Sequence, residues 1–221
     1  MSYILDFSFL LPLFFTFALI GKFKRFGLLI ALITYFTSFF LLNFLFDEIT
    51  PYLGERRYYF IYTLSEYLTF TYIFFYYLPY KRARNSIYLL SILFIAFIIF
   101  FIYYANIRRV DSFPIGVESI LLLIYIVLYF YYSLKKVSNE TILEKSSFWF
   151  VLGILLYIAF TFFFNILAGS LDPEIGRRYY HYSYFGDIFK NLFFAIGIFY
   201  LSKEGKESNL KELKEEPFLD F

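Results

Sequence analysis

Apolar residues fill seven long stretches of this 221-residue chain, each closed off by a short polar interval. The stretches are residues 3–20, 28–46, 58–78, 86–105, 117–134, 148–167 and 184–201. A helix that crosses a bilayer needs about 20 mostly apolar residues, so the pattern predicts seven transmembrane helices. The polar intervals include Lys22-Phe23-Lys24-Arg25, Pro79-Tyr80-Lys81-Arg82 and the loop 135–147. Short segments of alternating polarity do not recur, which disfavours a β-barrel. The expected fold is an all-α integral membrane protein, a seven-helix bundle over residues 1–201 with a short charged tail over 202–221.

Composition sharpens this reading. Hydrophobic residues make up 61% of the chain and the mean hydropathy is +0.65, whereas soluble domains are about half apolar. The 35 Phe and 24 Tyr suit a lipid-facing surface and interfacial belts, and Trp149 is expected to anchor an interface. The Tyr and Phe runs are read as lipid-facing or core, with no chemistry of their own. There is no Cys, which excludes disulfides, thiolate nucleophiles and Cys-ligated metals. With one His and scattered acids, neither a metal site nor a cofactor is expected, and no nucleic-acid partner. The N-terminus lacks a basic leader, carries Asp6 and offers no small-residue cleavage site, so it is expected to stay as the first span.

Charge placement predicts the orientation. The first, third and fifth loops and the tail together hold 13 Lys and Arg, and the N-terminus with the other loops holds 6. The remaining basic residue, Lys190, lies within the seventh span. By the positive-inside rule the C-terminus is cytoplasmic and the N-terminus outside, as expected of a multi-pass protein of the cell inner membrane.

Five ionisable residues interrupt the apolar stretches: Asp6, Glu66, Glu118, Asp187 and Lys190. A charge at membrane depth costs about 2.5–3.5 kcal/mol on insertion scales, so such residues face the protein interior and find partners. Glu66 lies eight residues past Tyr58, about 12 Å down a helix. Tyr62 and Glu66 share a face, bordered by Thr63. Asp187, Lys190, Asn191 and Phe194 follow i, i+3, i+4, i+7 spacing and form one stripe. Glu118 and Ser119 open the fifth span.

With the predicted orientation these groups fall in the outer half, where a polar pocket open to the exterior is the simplest common destination. Its residues would be Glu66, Glu118, Ser119, Lys190, Asn191, Asp187, Tyr62 and Thr63. A Glu66–Lys190 ion pair, functional or purely structural, would leave Lys190 uncompensated in Glu66→Gln. Glu118 and Asp187 have an interfacial alternative, and Asp6 is read as interfacial. Asn165 is expected to cap or cross-link helices. His181 is read as an exposed loop residue, with a pH sensor as the alternative. Leu210 and Leu213 allow a short amphipathic helix in an otherwise solvated tail.

Four patches resemble a family of small seven-helix membrane proteins common in Bacteroidetes-type bacteria. They are Tyr62-Thr63-Leu64-Ser65-Glu66, Val117-Glu118-Ser119-Ile120-Leu121, the run from Ser147 to Tyr157, and Phe189-Lys190-Asn191-Leu192-Phe193-Phe194-Ala195-Ile196. The same helical module is similar to the membrane sensor portion of some histidine kinases. The resemblance implies a polar site at Glu66, Glu118, Ser119, Lys190 and Asn191. The family's Gly-Asn pair after the sixth-span Tyr is Phe160-Thr161 here, and its Asn three residues before the lysine is Asp187.

Three functions compete. The first is a membrane sensor or signalling module binding a small-molecule or lipid ligand. The 20-residue tail, Ser202–Phe221, is too short for a kinase or cyclase domain, so this reading calls on a separate signalling protein. The second is a small transporter or membrane enzyme, disfavoured by the lack of internal symmetry and of a His-plus-acid cluster. The third is a retinal-binding, rhodopsin-like photoreceptor with Lys190 as Schiff-base lysine. A third-span carboxylate favours it, and the absence of Trp from spans three, five and seven counts against it.

Overall fold

A computed structural model describes residues 2–22, 26–104, 112–135, 141–167 and 184–204. The side chains of Asp6 and Asn165, together with His181, Leu210 and Leu213, lie outside the described residues. The described chain is all-helical. Its helices are α1 (Ser2–Ala18), α2 (Phe26–Phe44), α3 (Phe46–Leu53), α4 (Glu55–Tyr77), α5 (Lys81–Tyr104), α6 (Ser112–Lys135), α7 (Ser146–Leu167) and α8 (Tyr184–Glu204).

The short α3 departs from the sequence reading, which places residues 47–57 in a loop. Asp47 and Glu48 in its first turn favour the positive helix end, and the Thr50 hydroxyl donates to the Phe46 carbonyl at 2.8 Å. Gly54 then reverses the chain at φ 83°, a backbone state that glycine enters without a Cβ penalty. Its N–H closes α3 on the Thr50 carbonyl at 2.9 Å. At the far end of α4, Pro79 pushes the preceding residue into extended geometry. Leu78 has φ −75° and ψ 120°, and the helix stops there.

Among the described residues four helices are long and apolar enough to cross a membrane, over Gly27–Phe44, Lys81–Tyr103, Phe113–Lys135 and Tyr184–Glu204. Phe7–Ala18 and Ser146–Phe162 are shorter apolar helices, and α4 carries more hydroxyls and charges. The distribution of side chains fits a membrane protein. Phe7, Phe14 and Phe44 are 69% exposed and Tyr88 65%, whereas Lys190 is 0% exposed. In water such a surface would be a large apolar patch, but in lipid it is solvated.

Helix α4 is central, packing against α2, α3, α5, α6 and α7. Its buried Tyr67, Phe70 and Phe74 meet Phe36 and Phe39 of α2, Tyr125 of α6, Phe150 of α7 and Phe194 of α8 in one aromatic core. Helix α5 is peripheral, with 17% of its apolar window buried. Helices α7 and α8 approach closely because glycines face the contact. A Cβ on Gly153 would stand 3.3 Å from the Lys190 carbonyl, and one on Gly186 3.2 Å from the Tyr157 carbonyl. Small residues allow such approaches, and the gain is dispersion and interhelical hydrogen bonding.

Hydroxyl pairs tie the bundle at two further levels. Tyr67 shares hydrogen bonds with Ser91 (3.1 Å) and Tyr125 (3.0 Å), joining α4, α5 and α6. Where α7 starts, Tyr77 bonds Ser146 at 2.8 Å and Tyr129 bonds Ser147 at 2.7 Å. The Ser146 N–H donates to Glu204 Oε1 at 2.7 Å, so the end of α8 places a carboxylate on the positive end of α7. Trp149 donates from Nε1 to the Leu143 carbonyl at 2.8 Å and stacks on Phe193 and Tyr200.

Candidate functional site: a buried ionic cluster

The cluster is built around one ammonium. Lys190 Nζ lies 2.7 Å from Asp187 Oδ1 and 2.9 Å from Glu66 Oε1. Asp187 and Lys190 are three residues apart on α8, so helical geometry stacks them on one face. Glu66 comes from the middle of α4, the helix against which the bundle packs. Its Oε1 also accepts from the Tyr35 hydroxyl of α2 at 3.1 Å, and its Oε2 from the Tyr157 hydroxyl of α7 at 2.7 Å. Four helices therefore meet at a single carboxylate. Hydrogen bonds to charged groups are shorter and stronger than neutral ones, and the interior here offers no competing water contact to Lys190.

Aromatic rings close the remaining directions around the ammonium. The Tyr157 ring centroid stands 4.0 Å from Lys190 Nζ, and those of Phe70, Tyr35, Phe39 and Phe9 lie 5.6 to 6.0 Å away. Ring faces attract a desolvated cation, worth about 2 kcal/mol in favourable cases. Tyr157 thus serves twice, its hydroxyl on Glu66 and its ring on Lys190.

The other sequence-derived residues are placed as follows. Asn191 is buried next to Lys190, and its Nδ2 donates to Ser8 Oγ of α1 at 2.7 Å. Its Oδ1 has no hydrogen-bond partner among the described residues. Tyr62 packs on Phe39 with ring centroids 4.3 Å apart and lies within electrostatic reach of Asp187 and Lys190. Thr63 is buried one position along from it. Ser119 turns back to its own helix, donating to the Ile115 carbonyl at 2.8 Å. Glu118 is buried, within electrostatic reach of Glu66 and Lys190, and its Oε1 has no hydrogen-bond partner among the described residues. Glu118 and Asp187 are 3% and 8% exposed, so neither has the exposed position of a span-end charge. In the described arrangement the cluster is closed rather than the lining of an open mouth.

Tyr35, Tyr157 and Ser8 escaped the sequence reading, which placed Tyr62 alone of the tyrosines in the polar site. The available signal was position. Tyrosines favour the ends of spans, where the hydroxyl is wet, and one near the middle needs a buried partner.

Fold and site together define a helical bundle with an apolar exterior suited to a membrane and an ionic cluster at its centre. No family model, no curated protein and no solved structure matches the chain.

Proposed function

We propose that this protein is a multi-pass sensor or signalling module of a bacterial inner membrane. Helices α1, α2, α4, α5, α6, α7 and α8 are its seven spans, the N-terminus is outside and the C-terminus cytoplasmic. The loop charges support the orientation, and the similarity of four sequence patches to small seven-helix proteins and kinase sensor portions supports the class. The observation that carries the reading is the convergence of α2, α4, α7 and α8 on Glu66 and Lys190. An intramembrane charge is expensive and marks function by default. One shared by four helices couples their positions, because losing a partner at Glu66 loosens several contacts at once. A ligand or charge change at the cluster then shifts helices, as in other two-state bundles, and a separate partner protein reads the shift.

Spin labels on α4 and α8 near their cytoplasmic ends test this by distance measurement in lipid nanodiscs. Two distance populations, with Asp187→Asn changing their ratio, support a switch. A single distance, unchanged by that substitution, makes the cluster a fixed brace and overturns the reading.

A second reading, a retinal Schiff base on Lys190, draws on the two carboxylates beside its amine. Condensation of the amine with the aldehyde releases water, and a protonated imine there would keep Glu66 and Asp187 as counter-ions. The Tyr157 ring, 4.0 Å from Nζ, occupies space a polyene would need. Purification after growth with all-trans-retinal decides it: a visible absorbance band abolished by Lys190→Ala supports the reading, and a colourless protein rejects it.

A further inference from the structure

Within electrostatic reach of Lys190, a buried ammonium, the described residues hold three buried carboxylates, Glu66, Asp187 and Glu118. Fully ionised, the group would carry two uncompensated negative charges at the core of an apolar bundle. A buried charge that is neither paired nor hydrogen-bonded is costly enough that the group neutralises instead. The three acids are not equivalent in geometry. Glu66 takes three donors and Asp187 a direct ammonium contact. Among the described residues Glu118 has no ion pair; it is 3% exposed, and its Oε1 has no hydrogen-bond partner there.

The titratable and charged groups within electrostatic reach of Glu118 are Glu66 of α4, Tyr35 of α2, Tyr157 of α7 and Lys190 of α8. The only cation among them is already engaged by two carboxylates. Among the described residues no three His or acidic side chains come close enough to hold a metal ion. A proton supplies a balancing positive charge without a coordination shell.

We infer that Glu118 is a proton-binding site, the acid at which the buried cluster takes up and releases a proton. With the proton on Glu118, the site holds Lys190 between Glu66 and Asp187 with one excess negative charge, dispersed over the two Tyr hydroxyls that donate to Glu66. Release of that proton sets a second carboxylate charge against Glu66 with nothing to offset it, and drives the cluster apart. The inference rests on burial and charge count, and holds whether or not the protein signals.

The test is infrared spectroscopy of the purified full chain in nanodiscs at neutral pH, in H2O and D2O. The expected result is a carbonyl stretch of a protonated carboxylic acid, shifted on deuteration, with a component lost in Glu118→Gln. The same component is expected in sodium and in potassium buffers. The glutamine is isosteric with the protonated acid, so this variant is expected to fold and melt like the parent. Should it not fold, Glu118→Asp moves the band in frequency if residue 118 carries the proton. No protonated-acid band at neutral pH, a band unchanged in Glu118→Gln or Glu118→Asp, or one that appears only when sodium is removed, overturns the inference. The last outcome assigns the site to an alkali cation instead.

Discussion

Asp187 Oδ1 lies 2.7 Å from Lys190 Nζ, a closer contact than the 2.9 Å between Lys190 and Glu66 from across the bundle. The lysine thus has a partner within its own helix, already placed by one turn of α8 before α4 packs. This redistributes the expected effects of substitution. A lone Glu66–Lys190 pair would make Glu66→Gln strand the ammonium, but Asp187 keeps it paired.

Loss of the cation is the damaging change. Lys190→Met leaves two facing carboxylates buried without compensation and is expected to cost about 3–5 kcal/mol. Glu66→Gln keeps the Asp187 contact and is expected to cost about 1–3 kcal/mol, the scale of an unsatisfied buried group. Unfolding of purified protein in detergent checks both. Equal losses for the two variants would show that Asp187 does not share the lysine.

The Tyr157 hydroxyl and ring have separable roles. Tyr157→Phe keeps the ring near Lys190 and removes the 2.7 Å bond to Glu66, with an expected cost of about 1.5–3 kcal/mol for a charge-assisted bond. Tyr157→Leu removes both and is expected to cost more. A double-mutant cycle of Tyr157→Phe with Glu66→Gln is expected to show a coupling of about 0.5–3 kcal/mol. Additive losses would sink the claimed contact.

Close approach of α7 and α8 requires Gly153. A methyl there meets the Lys190 carbonyl at 3.3 Å and Phe193 Cβ at 3.2 Å, neither of which yields by side-chain rotation. Gly153→Ala is expected to lower stability by about 1–3 kcal/mol, as overpacking does. Gly21→Ala, with nothing within 4 Å, is expected to stay within about 0.5 kcal/mol. Comparable melting of both variants would place α7 and α8 further apart than described.

The lack of cysteine makes the proposed orientation directly measurable. Single cysteines replacing Ser2, Ser138 or Ser208 are expected to divide by side when intact cells meet a membrane-impermeant maleimide. Ser2→Cys should label from outside, and the other two only after lysis. Labelling of Ser138→Cys or Ser208→Cys in intact cells would reverse the orientation.

The sequence by itself determined the helical membrane character, because apolar stretches of spanning length can satisfy their backbone in lipid only as helices or closed barrels, and the period-two pattern is missing. It also singled out Glu66 and Lys190, since a charge in an apolar run is conspicuous whatever the fold. The segment 46–53 was less legible: a short helix with Asp47, Glu48 and Pro51 reads locally like a polar loop. Only the tertiary structure decided which groups meet. Tyr35 and Tyr157 are two of 24 tyrosines, and nothing in their local sequence marks a hydroxyl aimed at a carboxylate on another helix. The packing of α2, α7 and α8 around α4 brings those hydroxyls to Glu66 and, among the described residues, leaves Glu118 without an ion pair. That partnership depends on inter-helix rotation and register, which the near-uniform apolar faces of these helices do not encode in sequence order.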